Sequence, residues 1–159
     1  MATASANIAL GKTAYQSSSW VSGGAASWAV DGNTDADYDS GSCTHTRTEA
    51  NPTWWIDLGR SYVIDRVVIF YRQDSCCWER INPFNIHIGD CDQVSRNPKC
   101  GGDHRIDVNE PPVSVPCQGM TGRYVAFSGC MVEVNGEQKA PPNGQSCYVK
   151  ADVHEGIRR

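Results

Sequence analysis

The sequence predicts an all-β domain, a jelly-roll-type β-sandwich stapled by disulfides, on three observations. Long helical periodicity is absent, and short runs rich in Val, Ile, Tyr, Phe and Trp alternate with Gly-, Pro-, Asn- and Asp-rich clusters. Eight cysteines, an even number, are scattered among those turn-forming clusters. At 159 residues the chain has the length of one domain, enough to bury roughly two-thirds of its unfolded surface in one core.

The strands are expected, in order, at 54–58, 64–71, 84–88, 123–127 and 148–153. Arg66-Val67-Val68-Ile69-Phe70-Tyr71 is nearly continuous apolar sequence, as a strand covered on both faces requires. Tyr148-Val149-Lys150-Ala151-Asp152-Val153 alternates and should expose one face. Trp54-Trp55 at strand spacing reads as one core residue beside one face contact, and His87 as strand surface. Loops are expected at 17–26, 31–41, 89–112 and 135–145, where a sandwich carries its function. No internal repeat or linker divides the chain. Residues 1–6 read as an N-terminal extension, too short and polar for a signal peptide, and 7–159 as a single domain.

Composition excludes several functions. The net charge is −4, from 14 Lys+Arg against 18 Asp+Glu, and no basic stripe is present to neutralise phosphates, so nucleic acid is not expected as a partner. No apolar run approaches the roughly 18 residues of a membrane span. Cys43, Cys76, Cys77, Cys91, Cys100, Cys117, Cys130 and Cys147 show the cysteine usage of an oxidising compartment, and a secreted protein is expected. No C-x-x-C or H-x-x-x-H pair offers zinc spacing, and His104 and His154 have no partner at metal spacing.

An enzyme is not expected either. Paired carboxylates flanking a cleft cannot be picked out, and Asp39, Ser42 and His45, though close in sequence, lack a nucleophile-elbow glycine pattern.

The most unusual feature is Cys76-Cys77, between Asp74 and Trp78-Glu79-Arg80. Two readings stand. The pair closes an eight-membered ring into a rigid sulfur knob, or the two side chains point to opposite strand faces and take separate partners. Around it lie His45, Arg72 and Arg80, side chains that donate hydrogen bonds in fixed directions.

His45, twenty-six intervening residues, Arg72-Gln73-Asp74, and then Arg80 after five more residues make up a spaced constellation. Together with Asn7-Ile8-Ala9-Leu10-Gly11-Lys12, Ala29-Val30-Asp31-Gly32-Asn33, Gly41-Ser42-Cys43-Thr44-His45, Trp54-Trp55-Ile56-Asp57-Leu58, Gly122-Arg123-Tyr124-Val125 and Ser146-Cys147-Tyr148-Val149, it resembles the F-type lectins. These are fucose-binding lectins of discoidin-like fold, related to the type C domains of coagulation factors. The family motif has four residues where this chain has five before Arg80, and Ser75 reads as a one-residue insertion.

The resemblance implies a discoidin-like sandwich that binds L-fucose-type sugars on glycans. His45, Arg72 and Arg80 would bond the ring oxygen and hydroxyls, the Cys76-Cys77 disulfide would pack on an apolar ring edge, and Asp74 would hold an arginine. It further implies disulfides Cys43–Cys147 and Cys100–Cys117, which leaves Cys91 and Cys130 to pair with each other.

The resemblance also implies a structural calcium among the loops, held by the Trp28 and Asn33 backbone, the Asp31 carboxylate, Ser42 and the Cys147 region, with Tyr148 where many relatives carry an acidic residue. Oxygen-rich turns of this kind suit a hard cation, although Asp-Gly-Asn by itself is more often a plain turn. Weak single-sugar binding calls for a homo-oligomer or tandem array to gain avidity. The alternative on the same fold is a discoidin-like adhesion module for protein or lipid, with Trp20 and Trp78 at its loop tips.

Overall fold

Two strands of unusual length organise the molecule. The computed structural model describes residues 7–19, 25–33, 44–46, 52–71, 83–105, 113–128, 132–134, 137–139 and 150–156. In chain order the strands are β1 Thr13–Gln16, β2 Thr53–Phe70, β3 Asn85–Gly89, β4 Val113–Ser128, β5 Val132–Val134, β6 Glu137–Lys139 and β7 Lys150–Glu155. Single turns of 3-10 helix at Ala26–Val30 and Val94–Arg96 are the only helical pieces among the described residues.

The main sheet is antiparallel and five-stranded, in the order β1-β2-β4-β3, with β7 pairing the later part of β2. β2 meets β1 over Trp54–Asp57 and β7 over Ile64–Phe70, while β4 follows it along both stretches. The ladder shifts register between Asp57 and Tyr62 and again between Ile64 and Arg66. Gly59 at φ +87° and Gly119 at φ +80° sit in the left-handed region beside those shifts, as does Gln118 at φ +50°, a conformation in which a side chain is strained. Such irregularities bend and twist a ladder, so one long antiparallel strand pair, β2 with β4, serves both layers of the sandwich.

Alternation then fills the core. Trp54, Ile56 and Leu58 from the first part of β2, Ile64, Val67 and Ile69 from its second, Val115, Val125 and Phe127 from β4, Ile86 and Ile88 from β3, and Ala151 and Val153 from β7 are buried in one cluster. The expected face contact of Trp55 is a stack on Tyr15 at 5.7 Å between ring centroids. Gly122 lies where β4 crosses β3, since a side chain there would come within 2.7 Å of the Gly89 Cα.

The chain closes on itself at Asn7. Its Oδ1 accepts the N–H groups of Ala9 at 3.1 Å and Val153 at 3.0 Å, while the Ile8 N–H donates to the Val153 carbonyl at 2.8 Å. The start of the domain is thereby sewn to its last strand.

Cys100 and Cys117 form the expected disulfide, with Cα atoms 5.3 Å apart, joining the segment after β3 to β4. The expected bridge between Cys91 and Cys130 is not formed by Cys91, whose thiol is free and exposed. The ladder gives the reason. Cys91 leaves β3 past the Gly89↔Tyr124 pair, whereas the chain toward Cys130 leaves β4 past Ser128↔Asn85, at the other end of the same five-residue ladder. Cys130 itself, like Cys43, Cys76, Cys77 and Cys147, lies outside the described residues.

Candidate functional site

The described part of the site is built on the β1 edge of the sheet. β1 is short, and past its last residue the Ser17 N–H donates to the Thr53 carbonyl at 2.8 Å while the Thr53 N–H donates to Ser17 Oγ at 3.0 Å. That exchange pins the loop leaving β1 to the first residue of β2. Gln16, the last residue of β1, sends its Nε2 to Ser19 Oγ at 2.7 Å and to the carbonyl oxygen of His45 at 3.4 Å. The side chain of an edge-strand residue thus positions the backbone that carries the histidine.

Thr44, His45 and Thr46 are 2%, 5% and 5% exposed, which makes three consecutive buried polar residues with no ladder of their own. Polar side chains are normally found at the surface, and each one buried must find a hydrogen-bond partner or remain destabilising. Thr44 and His45 each hold an interaction within the protein. The Thr46 hydroxyl has none. Sequence reasoning singled out His45 and missed the flanking threonines and Gln16. The Thr-His-Thr triplet was visible, but nothing local distinguishes a buried threonine from a solvated one.

Arg72, Asp74, Cys76, Cys77 and Arg80 lie outside the described residues. The strand that follows them is described. Asn85, at the start of β3, pairs with Ser128, which pairs in turn with Thr53, and Ser128 Oγ and Thr53 Oγ1 lie 3.1 Å apart. The row Thr53, Ser128, Asn85 therefore runs across one end of the sheet, and Ser17 and Gln16 lie at that same end. The topology returns the chain, a few residues after Arg80, to the end of the sheet that anchors His45.

The candidate calcium turn is held from two sides. Trp54, buried in β2, donates its indole N–H to the Ala26 carbonyl at 2.9 Å, and the Gly11 N–H donates to the Val30 carbonyl at 2.8 Å. The short helix carrying Trp28 ends at Asp31, whose Oδ1 accepts the Asn33 N–H at 2.9 Å across Gly32, at φ +81°. This turn brings together Trp28, Asp31 and Asn33, three members of the expected set, while Ser42 and Cys147 lie outside the described residues. The groups this turn presents, a carboxylate and backbone carbonyls, are oxygens, the ligand type that a hard divalent cation takes.

A profile of the NedA-like, galactose-binding domain of the F5/F8 type C family matches residues 28–127. Among curated relatives, fucolectin-1 of Anguilla japonica is 38% identical, the match covering 68% of this chain and 66% of that protein. The fucolectin of Anguilla anguilla is also 38% identical, over 72% of this chain and 78% of that protein. The fold superposes on the serum fucolectin of Morone saxatilis, the striped bass, with a TM-score of 0.78 and 31% identity. That match covers 97% of this chain and 50% of the bass chain, so this chain spans half the length of that relative. The lectin domain of lectinolysin, solved with Lewis b antigen, gives a TM-score of 0.79 at 26% identity, covering 98% of this chain and 100% of that one.

Proposed function

Since the chain belongs to the F5/F8 type C family of NedA-like, galactose-binding domains, and within it to the fucolectins, we propose that it is a lectin for L-fucose-type terminal sugars on glycans and has no catalytic role. The observation that carries this reading is the reach of the family match, whose residues 28–127 include every member of the constellation from His45 to Arg80. The lectinolysin domain of the same fold was solved with Lewis b antigen, which favours a fucosylated glycan as the partner.

The chemistry of the constellation suits a neutral sugar. Guanidinium forks on Arg72 and Arg80 and the imidazole of His45 offer directed donors to the ring oxygen and hydroxyls, and the Cys76-Cys77 disulfide offers an apolar floor to a C–H edge. Asp74 holds an arginine in register. His45 enters the site already positioned, its carbonyl held by Gln16. Trp28, Asp31, Asn33, Ser42 and Cys147 would hold a calcium ion, whose charge would order the loops around them rather than contact sugar. The Cys100–Cys117 disulfide favours an extracellular setting, where roles in cell recognition, adhesion or defence lie, with several sites presented together for avidity.

The test is affinity chromatography on fucose-agarose in calcium-containing buffer. The folded protein is expected to be retained, to elute with free L-fucose before galactose, and to remain at least partly bound through an EDTA wash. Flow-through of folded protein in calcium buffer overturns the assignment.

A further inference from the structure

Beside the β3 edge lies a cleft that the fucose constellation does not use. It measures about 670 Å³, within the roughly 300–1,000 Å³ of small-molecule sites, and it is open to solvent. One wall is the first part of β4, from Val113 to Gln118. β2 pairs with this stretch on one side, whereas β3 reaches β4 only at 124–128, so among the described residues no strand takes its other side. The other wall is the segment 101–105, held by the two hydrogen bonds between His104 and Phe84. The Cys100–Cys117 disulfide ties the two walls together, so the cleft stands ready before a ligand arrives. Pro116, in the middle of the open edge, has no N–H to offer, which disfavours an added peptide strand and leaves a small molecule as the occupant.

The lining combines apolar surface with unengaged polar groups. Val113, Pro116 and Met120 supply the apolar part. Arg105, Ser114 and Gln118 are exposed in the cleft, and among the described residues none pairs with the side chain of any of the three. His104 differs, since its Nε2 is spent on the Cys100 carbonyl at 2.8 Å. Asp103 is the one carboxylate among the described lining residues, and Lys99 shares its charge at 3.5 Å. Arg105 has no counter-ion among the described residues, so the cleft favours an anionic group. A planar guanidinium takes a planar carboxylate through two parallel hydrogen bonds. The Ser114 hydroxyl and the Gln118 amide both donate and accept, as sugar hydroxyls require.

We infer that the cleft is a second saccharide site, for a sugar ring that bears a carboxylate, as a uronic acid does. Arg105 binds the carboxylate, Ser114 and Gln118 bond ring hydroxyls, and a C–H face lies on Val113, Pro116 and Met120. This goes beyond the fucose reading and shares no residue with it, so either can fail alone.

The experiment titrates methyl β-D-glucuronide into the full chain and follows backbone amide shifts by NMR, with methyl β-D-glucoside and glucose 6-sulfate as parallel arms. The glucuronide is expected to shift amides at 101–105 and 113–120, and the neutral glucoside to bind about tenfold more weakly or worse, for want of a charge-assisted hydrogen bond. Arg105→Gln is expected to weaken the glucuronide by a similar factor, with the melt and the L-fucose titration unchanged. Gln118→Gly removes the amide and relieves the left-handed strain at φ +50°, so it is expected to melt at the same temperature or higher while binding the glucuronide about three- to tenfold more weakly. Absence of shifts in the cleft overturns the inference, as does equal binding of the glucoside or parental glucuronide affinity in Arg105→Gln or in Gln118→Gly. Tighter binding of the 6-sulfate than of the glucuronide overturns the carboxylate assignment. None of these results touches the fucose site, whose own test is retention on fucose-agarose.

Discussion

The two edges of the sheet each carry a histidine on a segment beside the strands, and they hold that segment by different means. At the β3 edge His104 is fully engaged. Its N–H and carbonyl pair with Phe84 at 2.8 and 2.9 Å, its Nε2 donates to the Cys100 carbonyl at 2.8 Å, and its ring lies 5.4 Å from that of Phe84. The same segment bonds Cys100 to Ile86 and to Cys117. At the β1 edge the described residues Thr44, His45 and Thr46 make no ladder, and the Thr46 hydroxyl has no hydrogen-bond partner. Both segments are rich in polar residues. At the β3 edge the hydrogen bonds close through backbone pairing with the strand beside it; at the β1 edge a side chain, that of Gln16, reaches the backbone of the segment instead.

The comparison breaks most readily at its β3 side. Replacing Cys100 and Cys117 together by serine removes a cross-link between residues 17 positions apart, expected to cost about 3 kcal/mol on the chain-entropy view. For a domain of this size that is a drop of about 6–12 °C in a thermal melt. Fucose affinity below the melt is expected to be unchanged, and a loss of affinity there would show that the two edges are coupled.

On the other side, Arg80→Ala is expected to abolish measurable fucose binding by removing a contact of about 1–3 kcal/mol, with the melt unchanged. Calorimetric titration reads it. Unchanged affinity would show that the insertion at Ser75 has carried Arg80 out of the site.

A smaller scaffold effect is expected at Asn97, which is buried and clamps the loop after β3. Its Oδ1 accepts the Cys91 N–H at 3.0 Å and its Nδ2 donates to the Cys91 carbonyl at 2.9 Å. Asn97→Ala should lower stability by about 1–2 kcal/mol, read by denaturant unfolding, and increase hydrogen exchange at Cys91 without altering affinity. Protection at Cys91 equal to the parent's would show that the clamp does not order the loop.

How much of this was legible in the sequence depended on range. The apolar runs at 54–58, 64–71, 84–88 and 123–127 marked real strands, because burial on alternating or both faces is written locally. Their fusion was hidden. The expected strands stop at 58 and resume at 64, yet β2 runs unbroken through Gly59-Arg60-Ser61, and β4 begins ten residues before Arg123, through Pro116, Gln118 and Gly119. Pairing with a long neighbour overrides those weak local preferences. β6 likewise falls inside the loop expected at 135–145, and β1 is too short to announce itself. For the site, residue types and spacing picked out His45. The contribution of Gln16 and the burial of Thr46 come from tertiary packing, which the sequence does not display locally.

The smallest expected effect lies on the outer surface between the two edges, where Arg123 donates to Asp57 through Nε at 2.7 Å and Nη2 at 2.8 Å, joining β4 to β2. The Arg123 hydrogen bond, with the Gly59 N–H helping, holds the Asp57 carboxyl below its usual 3.8, against a modest opposing effect of burial. A depressed carboxyl favours the folded state at pH values above its unfolded pKa, and that contribution disappears as the pH falls through the folded pKa. The pair is partly exposed and screened by salt, so Asp57→Asn is expected to shift the melt only slightly at pH 7. The gap between parent and variant should close as the pH drops below 3.8, and it should shrink at high salt at neutral pH. Melts across that pH range settle the sign. A gap that widens in acid would mean the ion pair is not what joins the two strands, leaving the packing of Tyr124 beneath the Arg123 guanidinium, 5.4 Å from its ring, as the contact that does.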